Sequence, residues 1–198
     1  MIKVKVLLVS DNEDSYIWDH FDYERFKDIQ LVISCGDLKA DYLEFLADMI
    51  KAPVFYVNGN HDVGYLEKPP GGCIPIDDKI IVYKNIRILG LGGSIDYSKG
   101  PFQYSQKQMH KRYSKLKLSL WKNKGIDILV THSPAKGIGD AKDYCHQGFD
   151  VFTEILNKYS PQYFFYGHQH LEYGKGERKM IYNTTTVINA FKYHIIDI

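Results

Sequence analysis

The feature that most restricts the fold is a series of short apolar runs, each of which ends in polar residues. In the first third of the chain these are residues 4–9, which end at Asp11, residues 30–34, which end at Asp37, and residues 54–57, which end at Asn60. Apolar runs of about four to eight residues bounded by turn residues are typical of buried β-strands. We therefore predict three strands in this part of the chain, each ending at a polar side chain.

Helix-like segments lie between these strands. In residues 40–51, Leu43, Leu46 and Ile50 recur at helical spacing, and residues 16–26 show a weaker form of the same pattern. Strands that alternate with helices of this length predict a parallel sheet joined by right-handed crossovers. The sites of open α/β sheets lie outside the carboxyl ends of the strands. The polar strand ends should therefore meet at one edge.

The rest of the chain adds a hairpin and then returns to the strand–helix pattern. Residues 79–83 and 86–91 flank Lys84-Asn85, a two-residue hairpin loop. We predict a loop at 92–100, long helices at 105–124 and 148–159, and strands at 126–130 and 163–166. The β-branched tail, residues 179–198, predicts two closing antiparallel strands. We expect a single domain over residues 1–198.

Charge and cysteine content exclude several classes of protein. The formal net charge is +1, so no overall field attracts nucleic acid or an anionic membrane. Cys35, Cys73 and Cys145 are odd in number and form no CxxC pair, which favours reduced thiols over a disulfide framework. No apolar segment approaches the roughly 20 residues of a membrane span. We expect a cytoplasmic protein with neither nucleic acid nor a membrane as partner.

Five strand ends carry side chains that can bind metal ions. In chain order they are Asp11, Asp37, Asn60-His61, His132 and His168-x-His170. Carboxylate oxygens bind hard divalent cations, and neutral imidazoles suit Zn, Fe, Mn or Ni. Such a mixed set is what a two-metal hydrolytic centre requires, in which ions about 3.5–4 Å apart grip the attacking and leaving oxygens of a phosphoryl displacement.

Each of these residues on its own has an ordinary structural explanation. An Asp after a strand is commonly a turn or helix-cap residue, and a lone histidine is more often a hydrogen-bonded core residue than a ligand. The order Asn60-His61 within Gly-Asn-His-Asp is more specific, and two histidines at 168 and 170 directly after a strand are more specific still. The conjunction of all five strand ends carries the prediction of a metal centre.

These motifs resemble those of the calcineurin-like metallophosphoesterase superfamily. The shared elements are Gly-Asp at 36–37, Gly-Asn-His-Asp at 59–62, His132 and Gly-His-Gln-His at 167–170. The resemblance extends from residue 4 to the final strands. It implies a four-layer α/β sandwich, in which two mixed β-sheets are flanked by helices and the metals lie at one edge.

The resemblance also implies a role for each residue. Six residues would hold two divalent ions: Asp37 would bridge them, Asp11 and His170 would bind the first, and Asn60, His132 and His168 would bind the second. His61 would contact the phosphate and protonate the leaving alkoxide, held protonated by Asp62 or another carboxylate, while a metal-bound hydroxide attacks phosphorus. Manganese is the expected metal, with Fe, Ni, Zn and Mg as alternatives.

The chain departs from the family pattern at one ligand. Where the family has His two residues after its first Asp, this chain has Glu13. Three alternatives follow. Glu13 supplies an oxygen ligand, which would favour Mn or Mg; Glu13 points away and leaves the first site weak; or Asp14 takes its place.

A small phosphodiester or phosphomonoester is the expected substrate, because the segment after Asp37 lacks the arginine of the protein-phosphatase motif GDxVDRG. The alternative function is a catalytically weak scaffold for protein–protein contacts. Asp140, Asp143 and His146 follow the His132 strand and either line the substrate cleft or cap the helix that begins near Gly148.

Overall fold

A computed structural model of the chain describes residues 3–171 and 177–198. Within this part of the chain no helix combines the length and the apolar character needed to cross a membrane. The described strands are β1 (Lys5–Ser10), β2 (Leu31–Ser34), β3 (Val54–Tyr56), β4 (Ile74–Pro75), β5 (Lys79–Tyr83), β6 (Ile86–Leu91), β7 (Ser94–Ile95), β8 (Gln103–Tyr104), β9 (Ile128–Thr131), β10 (Tyr163–Tyr166), β11 (Lys179–Tyr182), β12 (Thr185–Asn189) and β13 (Lys192–Asp197).

The helices lie mainly between strands. They are α1 (Ser15–Trp18), α2 (Tyr23–Phe26), α3 (Ala40–Ile50), α4 (Gln106–Lys122) and α5 (Asp150–Tyr159), with short 3₁₀ helices at Asp62–Leu66 and Tyr144–His146.

Two large mixed sheets organise these elements. The first has the order β13-β1-β2-β3-β4, and the second has the order β11-β12-β10-β9-β6-β5; β7 and β8 pair separately. In the first sheet β1 to β4 are parallel, and β13 runs antiparallel to β1. In the second, β6, β9, β10 and β12 are parallel, while β5 and β11 run antiparallel at the two edges.

The strands bury both faces, and alternate residues serve different layers. Along β1, Leu8 packs between the two sheets against residues such as Ile128 and Phe165 of the second sheet. Its neighbours Leu7 and Val9 face the opposite way, toward the helices. This alternation follows from the two-residue period of a strand.

The helices cover the outer faces and complete four layers. Leu43 and Leu46 of α3 pack on the first sheet, and Tyr113 of α4 and Phe152 of α5 pack on the second. The order is therefore helix, sheet, sheet, helix. The four-layer α/β sandwich with two mixed sheets is confirmed.

Most predicted elements are present, including α3, the hairpin and β10, with differences of one or two residues at their ends. The single helix predicted over 16–26 is wrong. Two short helices form instead, because Asp14 and Asp22 each accept a hydrogen bond from a backbone N–H two residues on and start a new turn. At the hairpin, Lys84 and Asn85 have φ of 47° and 67°, as a type I′ turn requires.

The tail also differs from the prediction of two antiparallel strands. Three strands form there: β11 pairs antiparallel with β12, β12 lies parallel to β10, and β13 joins the other sheet. The chain crosses between the sheets at Lys192, whose φ of 61° makes a sharp bend. Alternation of apolar residues alone does not reveal such a change of sheet.

Candidate metal centre

The carboxyl ends of β1, β2, β9 and β10 meet at one edge of the sandwich. Asp11, Asp37, His132 and His168 each offer a ligand atom there, and these four atoms lie within 4.8 Å of one another. The side chain of Asp11 is 1% exposed and that of Asp37 is 9% exposed, while His132 is fully buried. The sequence prediction that these strand ends converge is met by the geometry.

His132 lies at the centre of one half of this cluster. Its Nδ1 is 2.7 Å from the carbonyl oxygen of Cys35, which can only accept, so Nδ1 carries the hydrogen. Its Nε2 is 3.0 Å from Oδ1 of Asn60 and 3.2 Å from Oδ2 of Asp37. Two oxygen acceptors therefore face one ring nitrogen, an arrangement that either a proton or a shared cation satisfies.

Asp11 is the centre of the other half. Both of its carboxylate oxygens accept from the backbone N–H of His168, each at 2.9 Å, and Oδ2 also accepts from the hydroxyl of Ser10 at 2.5 Å. Nε2 of His170 is 3.8 Å from Oδ1 of Asp11, and the His170 side chain is 57% exposed. His170 therefore lies beside Asp11 at the rim of the cluster.

His168 is oriented by a backbone group from a distant loop. Its Nε2 is 2.8 Å from the carbonyl oxygen of Cys145, so Nε2 donates and the lone pair of Nδ1 is free. A ligating histidine commonly donates its other ring N–H to a carbonyl or carboxylate in this way. The tautomer of His168 suits a metal ligand.

Three of the cluster residues have an uncommon backbone conformation. The φ angles of Asp11, Asp37 and His168 are 65°, 58° and 65°. Positive φ in residues other than glycine costs free energy and concentrates at functional sites. At Asp11 and His168 the flanking residues close a tight turn, since the N–H of Asn12 bonds to Ser10 and that of Gln169 to Gly167.

Gly59 permits the close approach of two strand ends. A Cβ at this position would lie 2.1 Å from Oδ1 of Asp37 and 2.5 Å from its backbone nitrogen. Any side chain here would push the β2 end away from the β3 end. The glycine is therefore needed for the position of the Asp37 carboxylate relative to Asn60 and His61.

The residues of the cluster differ in how their surroundings shift their pKa values. Burial opposes a charge on His132, but the carboxylates of Asp37 and Asp11 outweigh it and raise the pKa of His132 to about 10. Burial acts against the charged form of Asp37 as well, yet His132 and the His61 N–H lower the pKa of Asp37 to about 2. Burial, followed by the charge of His132, lowers the pKa of His168 to about 3, so its imidazole is neutral.

These features fit divalent cations. The donor set combines carboxylate and amide oxygens with imidazole nitrogens, which suits Mn, Fe, Zn or Ni. The two buried carboxylates Asp11 and Asp37 are a charge that a cation would balance. The ligand atom of Asp37 lies within 4.8 Å of those of Asp11, His132 and His168 and is therefore near both halves of the cluster.

The comparisons with known proteins agree with this geometry. The sequence profile of the calcineurin-like phosphoesterases matches residues 4–172. The chain belongs to this family. None of the curated proteins matches the chain at a significant level.

Two solved structures show the same calcineurin-like fold. TT1561 of Thermus thermophilus has a TM-score of 0.67 and 16% identity, over 96% of this chain and 90% of that chain. A 5′-nucleotidase from Candida albicans has a TM-score of 0.54 and 12% identity, over 98% of this chain and 50% of that chain. The chain thus spans half the length of that nucleotidase.

In the calcineurin-like motif Gly-Asn-His-Asp, the side chain of His61 is exposed and that of Asp62 is buried. The backbone N–H of His61 donates to Oδ1 of Asp37 at 2.7 Å, and its imidazole is exposed. Asp62 is buried, and its Oδ2 accepts from the N–H groups of Asp37 at 2.9 Å and Gly59 at 2.7 Å. The expectation that Asp62 holds His61 protonated is not supported, because this carboxylate instead links the turn that carries Asp37 to the turn that carries Gly59. Burial, together with the charge of Asp37, raises the pKa of Asp62 to about 6.

Glu13, where the family pattern has a histidine, is bonded to Lys39 and is not one of the four clustered ligand residues, although it lines the same cavity as Asp11 and Asp37. Its carboxylate accepts from the backbone N–H of Lys39 at 3.2 Å and pairs with the Lys39 ammonium at 3.2 Å. The side chain of Asp14 accepts from the N–H of Tyr16 and caps α1. Neither Glu13 nor Asp14 contributes a ligand atom to the cluster in this structure, so these contacts favour the second of the three alternatives, which stays a prediction.

Sequence reasoning missed one contact beside the centre. The hydroxyl of Tyr97 accepts from Nδ2 of Asn60 at 3.0 Å, which turns the amide oxygen toward His132. Tyr97 is one of 16 tyrosines, and it lies in a segment predicted only as loop. No sequence signal distinguishes it.

The polar residues of the loop after β9 are expected from the sequence either to line the substrate cleft or to cap the following helix. Asp140 accepts from the N–H groups of Gly137 and Gly148 and so fixes the loop before α5. His146 lies beside the centre, with its ring centroid 5.0 Å from that of His168. Asp140 thus has the structural role, while His146 borders the cleft.

Two cavities meet at the centre. One, of about 700 Å³, is lined by Asp11, Asp37 and His61 and extends past Lys39 and Lys68. The other, of about 330 Å³, is lined by the same Asp11, Asp37 and His61 and continues to Tyr97, Cys145, His146, His168 and His170. The three shared residues therefore separate two adjoining cavities.

Proposed function

We propose that this chain is a metal-dependent phosphoesterase that hydrolyses a small phosphodiester or phosphomonoester, with manganese as its metal. The observation that carries the proposal is the four-residue cluster of Asp11, Asp37, His132 and His168 directly beside an exposed His61. Family membership supports the reaction class.

The residues of the cluster would hold two divalent ions in two groups. Asn60, His132 and His168 would bind one ion, Asp11 and His170 the other, and Asp37 both. When bound, such ions supply Lewis-acid polarisation of the phosphate and activation of water. The second group is the weaker, because Glu13 is engaged with Lys39 and His170 is largely exposed.

His61 would act as the general acid. Its backbone is fixed on Asp37, so the imidazole stands at the junction of the two cavities without being bound into the cluster. A proton donor is needed there, since the leaving alkoxide is a strong base until it is protonated.

The two cavities favour a diester over a monoester. A phosphodiester carries two organic groups on one phosphorus, and the cavities of about 700 Å³ and 330 Å³ offer one space on each side of His61.

Turnover of bis(p-nitrophenyl) phosphate and p-nitrophenyl phosphate by metal-stripped protein tests the proposal. We expect no turnover without metal, restoration by Mn²⁺, and a higher kcat/KM for the diester. Restoration with a higher kcat/KM for the monoester would contradict the diester preference alone. A folded protein that binds Mn²⁺ and hydrolyses neither compound would contradict the enzyme and favour the scaffold.

A further inference from the structure

A second group of metal-binding side chains lies outside the cluster, on the loop between β9 and α5. Asp143, Cys145 and His146 each offer a ligand atom within 4.8 Å of the others. Oδ2 of Asp143 is 2.9 Å from Sγ of Cys145 and 2.5 Å from Nδ1 of His146, and Sγ is 3.4 Å from the same Nδ1. Carboxylate, thiol and imidazole thus converge on one point.

The local backbone explains this convergence. Asp143 is the residue before the single-turn 3₁₀ helix Tyr144–His146, and residues three apart lie on the same side of a 3₁₀ turn. Asp143 and His146 therefore face each other, and Cys145 completes the group from the same turn.

The turn is also held in place by its neighbours. The carbonyl of His146 accepts from the N–H of Ala141 at 3.2 Å and from Nε2 of Gln169 at 2.8 Å, while the carbonyl of Cys145 accepts from His168. Because these bonds fix the backbone, little conformational entropy remains to be lost when the three side chains bind a ligand.

We propose that Asp143, Cys145 and His146 form a further binding site for a thiophilic divalent cation such as Zn²⁺. Sulfur, nitrogen and oxygen donors from Cys, His and Asp are the ligands that zinc takes in proteins, and three protein ligands leave a fourth position open. Cys145 and His146 line the cavity of about 330 Å³ that His61 and His168 also line. The open position would therefore adjoin the cavity of the main centre.

The sulfur donor distinguishes this site from the main centre. The cluster of Asp11, Asp37, His132 and His168 offers only oxygen and nitrogen donors. Cys35 is fully buried within the core between the sheets, and Cys73 packs against the core beneath α3. The proposal concerns cation binding only and does not depend on phosphoesterase activity.

Titration of metal-stripped, reduced protein with Co²⁺ tests the proposal by absorption spectroscopy. A cobalt–thiolate bond gives a sulfur-to-metal charge-transfer band in the near ultraviolet, which oxygen and nitrogen ligands do not give. We expect this band in the native chain and its loss in Cys145→Ser, with the visible cobalt bands of the main centre retained. Cys73→Ser is the matched control and should keep the charge-transfer band.

A second variant separates a three-ligand site from a lone thiol. In His146→Ala, loss of one of three ligands should weaken Co²⁺ binding at this site at least about tenfold, as seen in the titration midpoint of the band. Zn²⁺ should displace Co²⁺ and abolish the band in the native chain. Absence of the band in the native chain, its persistence in Cys145→Ser, or an unchanged midpoint in His146→Ala would each overturn the proposal.

Discussion

The Asp62 carboxylate gives the sharpest test of how the strand ends are held together. A single oxygen, Oδ2, accepts from the backbone N–H groups of Asp37 and Gly59, which belong to the two turns that carry Asp37, Asn60 and His61. Asp62 is only 4% exposed, so its carboxylate shields both N–H groups from most of the solvent. Asp62→Ala would leave two buried N–H groups without a partner.

The magnitude follows from these two bonds. An unsatisfied buried donor costs about 1–3 kcal/mol, so Asp62→Ala should lower the free energy of unfolding by about 2–6 kcal/mol. Asp62→Asn is the matched control, because its amide oxygen can accept both bonds at nearly the same volume. We expect Asp62→Asn to lose no more than about 1 kcal/mol.

Urea unfolding of metal-free protein, followed by circular dichroism, measures both variants. Mn²⁺ affinity, measured by calorimetry, should fall more in Asp62→Ala than in Asp62→Asn, because the turns also place ligands. Equal stability of the two variants would refute the reasoning, since the account rests on the acceptor oxygen and not on the charge.

Three further predictions concern other parts of the structure. Tyr97→Phe removes the hydrogen bond that orients the Asn60 amide and should weaken Mn²⁺ binding about tenfold in calorimetry, with little change in Tm because Tyr97 is 40% exposed. Gly59→Ala should destabilise the fold by about 3 kcal/mol or more, which a lower Tm would show. Gly64→Ala is the control and should leave Tm nearly unchanged, because a Cβ at Gly64 meets nothing within 4 Å. The arginine partner of Asp127 lowers the pKa of this carboxyl, so the ion pair stabilises the fold above the unfolded pKa of Asp127 and the stabilisation is lost as the pH falls through the folded pKa. Asp127→Asn should therefore lower the free energy of unfolding by about 1 kcal/mol at neutral pH, as measured by urea unfolding. The difference from the native chain should shrink below about pH 4.

The positions of the main ligands follow from local sequence. Apolar runs of strand length set the strands, and Asp11, Asp37 and His168 follow within three residues of a strand end. Parallel pairing aligns the strand ends within each sheet, and the stacking of the two sheets brings the ends of β1 and β2 next to those of β9 and β10. This is why the ligand candidates could be predicted without knowledge of any contact, whereas the four layers are implied by the family resemblance.

Side-chain direction at the same edge could not be predicted, because it depends on distant partners. Glu13 is held by a hydrogen bond from the backbone N–H of Lys39, 26 residues on. Asn60 is oriented by Tyr97, 37 residues on, and His168 by a carbonyl 23 residues before it. Such pairings appear only when the chain has folded.

The central claim is that His61 protonates the leaving group without being a metal ligand. The variant His61→Ala tests this claim, with His110→Ala as the control. His110 is half-exposed on α4 and pairs with Glu154, away from the centre. Turnover of bis(p-nitrophenyl) phosphate and of diphenyl phosphate should be compared, because the phenol is the poorer leaving group and needs the proton more.

We predict that His61→Ala keeps its Mn²⁺ content and loses about 10²–10⁴-fold in kcat on diphenyl phosphate, with a smaller loss on the p-nitrophenyl ester. His110→Ala should match the native chain on both. An equal loss on the two substrates, or a loss of bound Mn²⁺ in His61→Ala, would contradict the account.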